Sequence, residues 1–198
     1  MRTWDKHIRK GGLLVVVSGP SGVGKDCVLS QLHEIYPKAK RCVTTTTRLP
    51  RNGETDGVDY TFISVEEFRK RITEDGFLEY AEVHGNLYGT PRQRVEEELR
   101  SGIDVILKID VQGGLAVKSK VSNALMIFIA PPSVEELERR LRSRSTESEE
   151  QINKRLNDAR HELEQIPRYD YIVENDSIDK AAEKIKAILI AEQFRVQQ

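Results

Sequence analysis

The sequence has little of what marks disulfide-rich, membrane-spanning or nucleic-acid-binding proteins. It contains two cysteines in 198 residues, Cys27 and Cys42, and their positions form no disulfide or metal-binding pattern. Its longest apolar runs, such as 124–130, are far too short to cross a bilayer. Lysine and arginine (31) nearly balance aspartate and glutamate (32), so no overall charge favours a nucleic acid or a membrane as a partner.

The first residues of the given sequence also show no secretory signal. Residues 1–12 are polar and basic without the apolar segment of a secretory signal, so a cytoplasmic location is expected. Charged residues make up 32% of the chain, which suits a soluble protein. A chain of this length can bury a sizeable core in one domain, or in one domain with an insertion.

The most informative segment is an apolar run followed by a glycine-rich turn. Residues 13–17 are apolar and three of them are β-branched, which predicts a strand buried on both faces. A helical pattern over 26–35 follows the turn. Backbone amides in such a turn cradle phosphates, and the lysine at its end reaches the outer ones. We therefore predict a nucleotide-binding phosphate loop, rather than an ordinary strand–helix turn, made of Gly19, Pro20, Ser21, Gly22, Val23, Gly24 and Lys25.

One position departs from the usual phosphate-loop pattern. The lysine is normally followed by serine or threonine, whose hydroxyl binds Mg²⁺, but here it is followed by Asp26. A carboxylate is a good Mg²⁺ ligand, although it brings a negative charge close to the phosphates. Asp26 is thus a candidate ligand, directly or through water, for the Mg²⁺ that accompanies ATP.

The remaining chain alternates between strand-like and helical segments, which predicts a parallel α/β sheet flanked by helices. Turn and cap residues bound the segments. Short strand-like segments are expected at 41–44, 61–63 and 77–84, further strands at 104–109, 124–130 and 169–173, and helices starting at Ser64, Thr90, Ser133, Ser148 and Ser177.

Residues 45–89 do not follow this alternation. They include an irregular stretch, 48–60, that is dense in turn residues and long for a compact domain, so we expect it to be functional. We interpret 45–89 as a small, mainly β insertion into a core made of 1–44 and 90–198.

Several motifs occur together in this sequence. They are the loop 19–25, the segment 47–60 with Arg48, Arg51, Gly53, Glu54, Gly57, Asp59 and Tyr60, the segment 109–113, and Arg144 with Thr146 and Glu147. By these motifs the chain resembles the guanylate kinases over roughly residues 13–190. The resemblance implies a P-loop NTPase-type fold and the transfer of a phosphoryl group from ATP to GMP, with dGMP as a further acceptor in purine nucleotide metabolism. It also implies that the insertion 45–89 binds the nucleoside monophosphate and that about 142–156 forms a helical lid within the core.

Four residues are candidates for binding the phosphate of GMP. Arg48 and Arg51 lie in the irregular stretch, where two guanidinium groups can hold a phosphate bidentately. Tyr60 and Tyr88 can add hydroxyl donors. The resemblance implies that all four contact this phosphate.

Four other residues are candidates for recognising the base. Guanine presents N–H donors at N1 and N2 together, so a carboxylate is a fitting acceptor. The resemblance implies that Glu79 and Asp110 supply the acceptors. Thr44 and Thr90 stand where the family usually has serine near the base, and both keep a hydroxyl.

On the donor side, Arg140, Arg144 and Arg155 match arginines of the family that face ATP and the lid. Guanidinium groups there stabilise the charge that develops on the transferring phosphoryl group. The resemblance implies that Asn175 lies near the adenine of ATP. The predicted catalytic set is Lys25, Arg48, Arg140, Arg144 and Arg155.

Two other functions remain as alternatives. Kinases of ribose 1,5-bisphosphate resemble guanylate kinases and can carry Gly-Lys-Asp in the phosphate loop, but they do not need the 48–60 motif or Glu79. Guanylate-kinase-like domains of membrane-associated scaffolds bind phosphopeptides, but their phosphate loops are degraded. We expect ATP and GMP as small-molecule partners, no nucleic acid or membrane, and either a monomer or a homo-oligomer.

Lys108 is a second departure from the family, which more often has aspartate two residues before Asp110. The strand 104–109 is expected beside the phosphate-loop strand, with residues 108 and 110 on the same face. We hypothesise that Lys108 and Asp26 lie within about 4 Å of each other. Asp26 then helps to order Mg²⁺ while Lys108 offsets its charge. The alternative is two unrelated surface changes.

Overall fold

The computed structural model describes residues 9–83, 85–143 and 148–196. The strands are β1 (Leu14–Ser18), β2 (Ala39–Arg41), β3 (Thr45–Thr46), β4 (Thr61–Phe62), β5 (Phe77–Val83), β6 (Asn86–Pro91), β7 (Asp104–Lys108), β8 (Leu125–Ala130) and β9 (Tyr171–Glu174). The helices are α1 (Lys25–Ile35), α2 (Val65–Thr73), α3 (Arg92–Arg100), α4 (Val111–Lys120), α5 (Val134–Arg142), α6 (Glu149–Leu163) and α7 (Ile178–Gln193).

The larger sheet is parallel and has the strand order β2-β7-β1-β8-β9. Its centre is β1, where Val15, Val16 and Val17 are fully buried. Val15 and Val17 pack in a core with α1 and α7, whereas Val16 packs in a second core with α3 and α4. Because successive side chains of one strand enter two cores, the strand must be apolar throughout, as its sequence predicts.

The smaller sheet has the strand order β4-β3-β6-β5. Its β3 runs parallel to β4 and antiparallel to β6, which also pairs antiparallel with β5. The helix α2 packs on it through Phe68, whose ring stacks on Phe77 at 4.4 Å between centroids. A side chain at Gly89 has no room there, since a Cβ would lie 2.8 Å from Phe77 and 2.9 Å from Phe68.

Two boundary predictions are wrong. The expected strand at 41–44 is split, because β2 ends at Arg41 in the larger sheet and β3 begins at Thr45 in the smaller one. Thr90 does not cap a helix: it lies in β6, and α3 follows Pro91 without a side-chain cap. The Thr90 hydroxyl donates instead to Glu79 Oε1 at 2.6 Å, so a partner distant in sequence has taken the capping group.

Other helix starts agree with the sequence. Ser64, Ser133 and Ser148 each accept a hydrogen bond from the amide three residues on, and Ser148 forms a reciprocal capping box with Gln151. The Ser177 side chain makes no such bond at the start of α7. Within the described ranges, no helix has both the length and the apolar character needed to cross a membrane.

Candidate active site

The phosphate loop joins β1 to α1, and its glycines hold backbone shapes that other residues resist. Gly19 has φ 147°, and a Cβ there would lie 2.1 Å from the carbonyl oxygen of Ile129 in β8. Gly24 caps α1 at φ 95°, with Asn175 Nδ2 only 2.7 Å from where a Cβ would stand. The loop is therefore fixed both by its own conformation and by its neighbours.

Lys25 follows the loop and folds back over it. Its ammonium group donates to the carbonyl oxygens of Gly19 at 2.5 Å and Pro20 at 3.0 Å. Burial lowers the pKa of Lys25, and the nearby charge of Glu162 acts in the opposite direction. The ammonium is thus available to a phosphate that replaces the two carbonyl contacts.

Arg140 and Asn175 contact the loop at Val23. The buried amide of Asn175 donates to the carbonyl of Val23 at 2.8 Å, and Arg140 Nη1 donates to the same oxygen at 3.3 Å. Arg140 also donates to the Asn175 carbonyl at 3.1 Å and to Glu136 Oε1 at 2.7 Å. These contacts tie α5 and the end of β9 to the loop.

Of the other two donor-side arginines, Arg155 reaches the loop. Its guanidinium group, carried by α6, donates to Ser21 Oγ at 2.5 Å. Arg144 lies outside the described residues, as do Thr146 and Glu147. The structure therefore brings Lys25, Arg140 and Arg155 to one loop.

A cavity of about 160 Å³ lies between the two sheets. Predicted GMP-binding residues on its wall are Thr44, Tyr60, Glu79, Tyr88 and Asp110. Arg41 and Lys108 also line it. Because Lys108 pairs with Asp26 at the start of α1, this cavity adjoins the phosphate loop.

Glu79 and Asp110 bring two carboxyl groups to one part of the cavity. Glu79 is 6% exposed, and its burial, reinforced by the charge of Asp110, raises its pKa despite the hydrogen bond from Thr90. Asp110 caps α4 by accepting from the Gly113 amide at 2.7 Å. A Cβ on Gly113 would lie 3.2 Å from Glu79 Oε2 and 3.4 Å from Asp110 Oδ1, so glycine lets the three residues approach.

Arg48 is held in place by several groups. Its Nη2 donates to Glu54 Oε1 at 2.8 Å, and its guanidinium carbon lies 5.3 Å from the ring centre of Tyr60. The hydrogen bond with Glu54 is the main cause that raises the pKa of Arg48, and a bond with Tyr88 adds to it. Glu54 also accepts from the backbone amide of Arg51 at 2.7 Å. The side chain of Arg51 itself is exposed.

The predicted proximity of Lys108 and Asp26 is confirmed. Lys108 Nζ lies 2.5 Å from Asp26 Oδ1, and Arg41 Nη1 lies 3.7 Å from the same oxygen. Partial burial acts to raise the pKa of Asp26, but the hydrogen bond and charge of Lys108, with the charge of Arg41, lower it overall. Asp26 is therefore an ionised carboxylate between two cations.

Sequence reasoning missed three residues of this site. Glu162 of α6 acts on both Lys25 and Asp110, and burial is the main cause that raises its pKa to about 7. Nothing distinguishes it from the other charges of a polar helix. The sequence places Arg41 only in a predicted strand. It includes Glu54 in the 47–60 motif but indicates no binding or structural role for its side chain. For Glu54, the spacing of six residues from Arg48 across a turn-rich loop was the available signal.

Comparisons with known proteins agree with this geometry. The family model described as "Guanylate kinase" matches residues 12–192. The guanylate kinase of Caldanaerobacter subterraneus subsp. tengcongensis is 51% identical over 189 residues, covering 96% of this chain and 92% of that protein. The guanylate kinase of Desulfitobacterium hafniense is 50% identical over 187 residues, covering 94% of each. The crystal structure of guanylate kinase from Anaplasma phagocytophilum aligns with a TM-score of 0.75 and 35% identity, covering 94% of this chain and 88% of that one.

Proposed function

The chain belongs to the guanylate kinase family, and on that basis we propose that it transfers the terminal phosphoryl group of ATP to GMP, giving ADP and GDP. The observation that carries this proposal is the buried carboxyl group of Glu79 in a cavity beside the phosphate loop. A buried carboxyl group needs partners, and guanine offers the matching donors. We extend the proposal to dGMP and to a role in purine nucleotide metabolism.

Guanine recognition follows from the hydrogen-bonding groups on the cavity wall. Guanine has donors at N1 and N2 that two carboxylate oxygens of Glu79 can accept together. Adenine has an acceptor at N1, so it meets the same carboxylate with a repulsive contact. Asp110 supplies a further acceptor, and the hydroxyls of Thr44 and Thr90 complete the proposed base-binding set.

The phosphate of GMP is assigned to Arg48, Arg51, Tyr60 and Tyr88. Arg48 already lies beside Tyr60 and Tyr88, and its bond to Glu54 keeps the guanidinium group oriented. Arg51 is anchored through its backbone while its side chain is exposed, so it can turn to the phosphate when GMP enters. Two guanidinium groups and two hydroxyls supply enough donors for a dianionic phosphate.

Catalysis in this site is positioning and charge neutralisation. The GMP phosphate is already an anionic nucleophile, so the transfer needs no general base. The loop amides and Lys25 hold the outer phosphates of ATP, and Arg140 and Arg155 stabilise the charge on the transferring group. We keep Arg144 in this set, and Asn175 near the adenine, on the strength of the family motif.

The residues present fit an Mg²⁺ ion bound with ATP. Kinases hold Mg²⁺ through one or two carboxylates together with substrate phosphates and water. Asp26 supplies one ionised carboxylate next to Lys25. Among the described residues no group of three or more histidine, cysteine, aspartate or glutamate side chains is arranged to hold a metal, so most ligands must come from ATP and water. The ion neutralises phosphate charge when it is bound.

The alternatives are disfavoured by specific residues. A ribose 1,5-bisphosphate kinase has no use for a base-reading carboxyl group in a buried pocket, and a phosphopeptide-binding domain has no use for an intact phosphate loop. ATP and GMP are therefore the proposed partners. We place the reaction in the cytoplasm, where both nucleotides are available.

The proposal is tested by a coupled assay of ADP formation. GMP, AMP, UMP and ribose 1,5-bisphosphate are compared as acceptors with Mg²⁺ and ATP. We expect GMP to give the highest kcat/KM. Preferred phosphorylation of ribose 1,5-bisphosphate would move the chain to the alternative kinase, and no ADP formation with any acceptor would favour a binding domain.

A further inference from the structure

Three cationic side chains gather where the acceptor cavity meets the phosphate loop. Lys108 and Arg41 line the cavity, and both contact the same oxygen of Asp26. Lys25 is the neighbour of Asp26 in the chain, so its side chain starts next to the same carboxylate. One carboxylate thus lies among three cations.

The position of Lys108 follows from the sheet. In β7 it is paired with Val17 of β1, two residues before the loop begins at Gly19. Its side chain is 24% exposed, and its ammonium group donates to Asp26 Oδ1. Few residues can contact both substrates, and this one lies at the boundary of their sites.

The usual phosphate-loop arrangement has a hydroxyl after the lysine and an aspartate on a neighbouring strand, and both bind the metal. Here the loop carries the carboxylate, and the strand carries a cation that cannot bind a metal. An anion that reaches both Lys25 and Lys108 is attracted by two positive charges. The transferring phosphoryl group is such an anion.

We propose that Lys108 contacts the transferring phosphoryl group, and that Asp26 is a positioning residue that holds the Lys108 ammonium in place until the nucleotides bind. This inference rests on the proposed function, because it requires phosphates on both sides of Lys108. Lys108 is then a fixed cation at the transferring phosphoryl group, in addition to the arginines already assigned to that group.

Binding of a bisubstrate analogue in EDTA tests the assignment without metal and without turnover. The probe is adenosine-guanosine pentaphosphate, measured by titration calorimetry. Lys108→Met is expected to raise its Kd about tenfold, the effect of losing one charged hydrogen bond. Binding of GMP alone or ADP alone, which leave the transferred position empty, should change less than about twofold.

Asp26→Asn is expected to act in the opposite direction. Without metal, it removes a negative charge near the phosphates and frees Lys108, so the Kd should fall about threefold. With Mg²⁺ present, the same variant should weaken binding, because the proposed metal carboxylate is lost. If Asp26 acts through Lys108, this effect in EDTA should shrink in the Lys108→Met background, and an equal effect of Asp26→Asn in both backgrounds would overturn the positioning role.

Controls separate a specific contact from general effects. Lys118→Met removes a lysine of similar exposure that pairs with Asp170 at 3.3 Å away from the site, and it should leave the Kd unchanged. Lys108→Arg should bind the probe within about threefold of wild type, since it keeps the charge. Thermal unfolding checks each variant, and Lys108→Gln replaces Lys108→Met if that variant does not fold.

Turnover provides a second readout. Lys108→Met should lower kcat about a hundredfold with little change in the KM for GMP, since charge develops on the contacted group. Unchanged pentaphosphate binding in Lys108→Met, or equal weakening in Lys118→Met, would overturn the assignment. Failure of the wild type to phosphorylate GMP would instead reject the proposed function, and the binding data would still decide the role of Lys108.

Discussion

Glu79 is the residue on which the choice of acceptor depends most. Its carboxyl group is buried, and Thr90 occupies one oxygen, so guanine must supply the remaining partners. Loss of a buried hydrogen bond to a charged group costs about 1.5–3 kcal/mol. We expect Glu79→Ala to raise the KM for GMP by one to two orders of magnitude while the KM for ATP stays the same.

An exposed glutamate on the same strand provides the control. Glu82→Ala removes the same charge from β5 at an exposed position, and it should leave both KM values unchanged. Steady-state kinetics with GMP and with AMP as acceptors measure these effects. Equal use of AMP and GMP by the wild-type protein would refute the role of Glu79.

Glu162 predicts a pH dependence of stability. Its pKa is raised from 4.5 to about 7, mainly by burial, so the folded state binds this proton more tightly than the unfolded state. The resulting stabilisation is complete below about pH 4.5 and is lost as the pH rises through about 7. Glu162→Gln stays neutral, so its free energy of unfolding should fall less than that of the wild type over this range.

Urea unfolding at several pH values measures this difference. Glu150→Gln changes an exposed glutamate of the same helix and is the matched control, expected to follow the wild-type profile. Parallel profiles for the wild type and Glu162→Gln would show that Glu162 titrates alike in both states.

At the scale of elements, the site is assembled from segments that belong to different parts of the fold. Lys25 lies on α1, Arg48 lies in the loop after β3, and Arg155 lies on α6. We expect residues 45–89 and the segment near 142–150, of which 84 and 144–147 lie outside the described residues, to move toward the core when both nucleotides bind, which would exclude water from the transfer. Crystals with and without adenosine-guanosine pentaphosphate should therefore differ by hinge motions, and superimposable backbones would contradict closure.

The three central strands of the larger sheet, β7, β1 and β8, were predictable because they are buried on both faces. Apolar runs at 13–17, 105–107 and 124–130 leave few other structures open to them. The smaller sheet was harder, since β3 and β4 have two residues each and depend on partners distant in the sequence. Thr90 shows the limit of local sequence patterns. Its neighbours favour a helix cap, but its hydroxyl donates a hydrogen bond to Glu79 instead.

At the scale of the molecule, the sequence predicts candidate site residues but not where they lie relative to one another. The motif 47–60 and the phosphate loop indicated two phosphate-binding segments. The position of the cavity beside the phosphate loop depends on how the two sheets meet, and no local pattern encodes that. Arg41 and Glu162 gain significance only from neighbours that lie far along the chain, so periodicity and motif arguments miss them.

The strand order also affects when the phosphate loop can become ordered during synthesis on the ribosome. The central strand β1 is made early, but its neighbours β7 and β8 follow about 90 to 110 residues later, and Asn175, which supports the loop at Val23, follows later still. At about 5–20 residues per second, roughly 8 to 30 seconds separate the synthesis of Lys25 from that of Asn175. Ribosome-arrested chains ending near residue 100 should leave the loop open to protease, and protection at that length would contradict this order. The phosphate loop is thus synthesised well before the strands and the side chain that hold it in place.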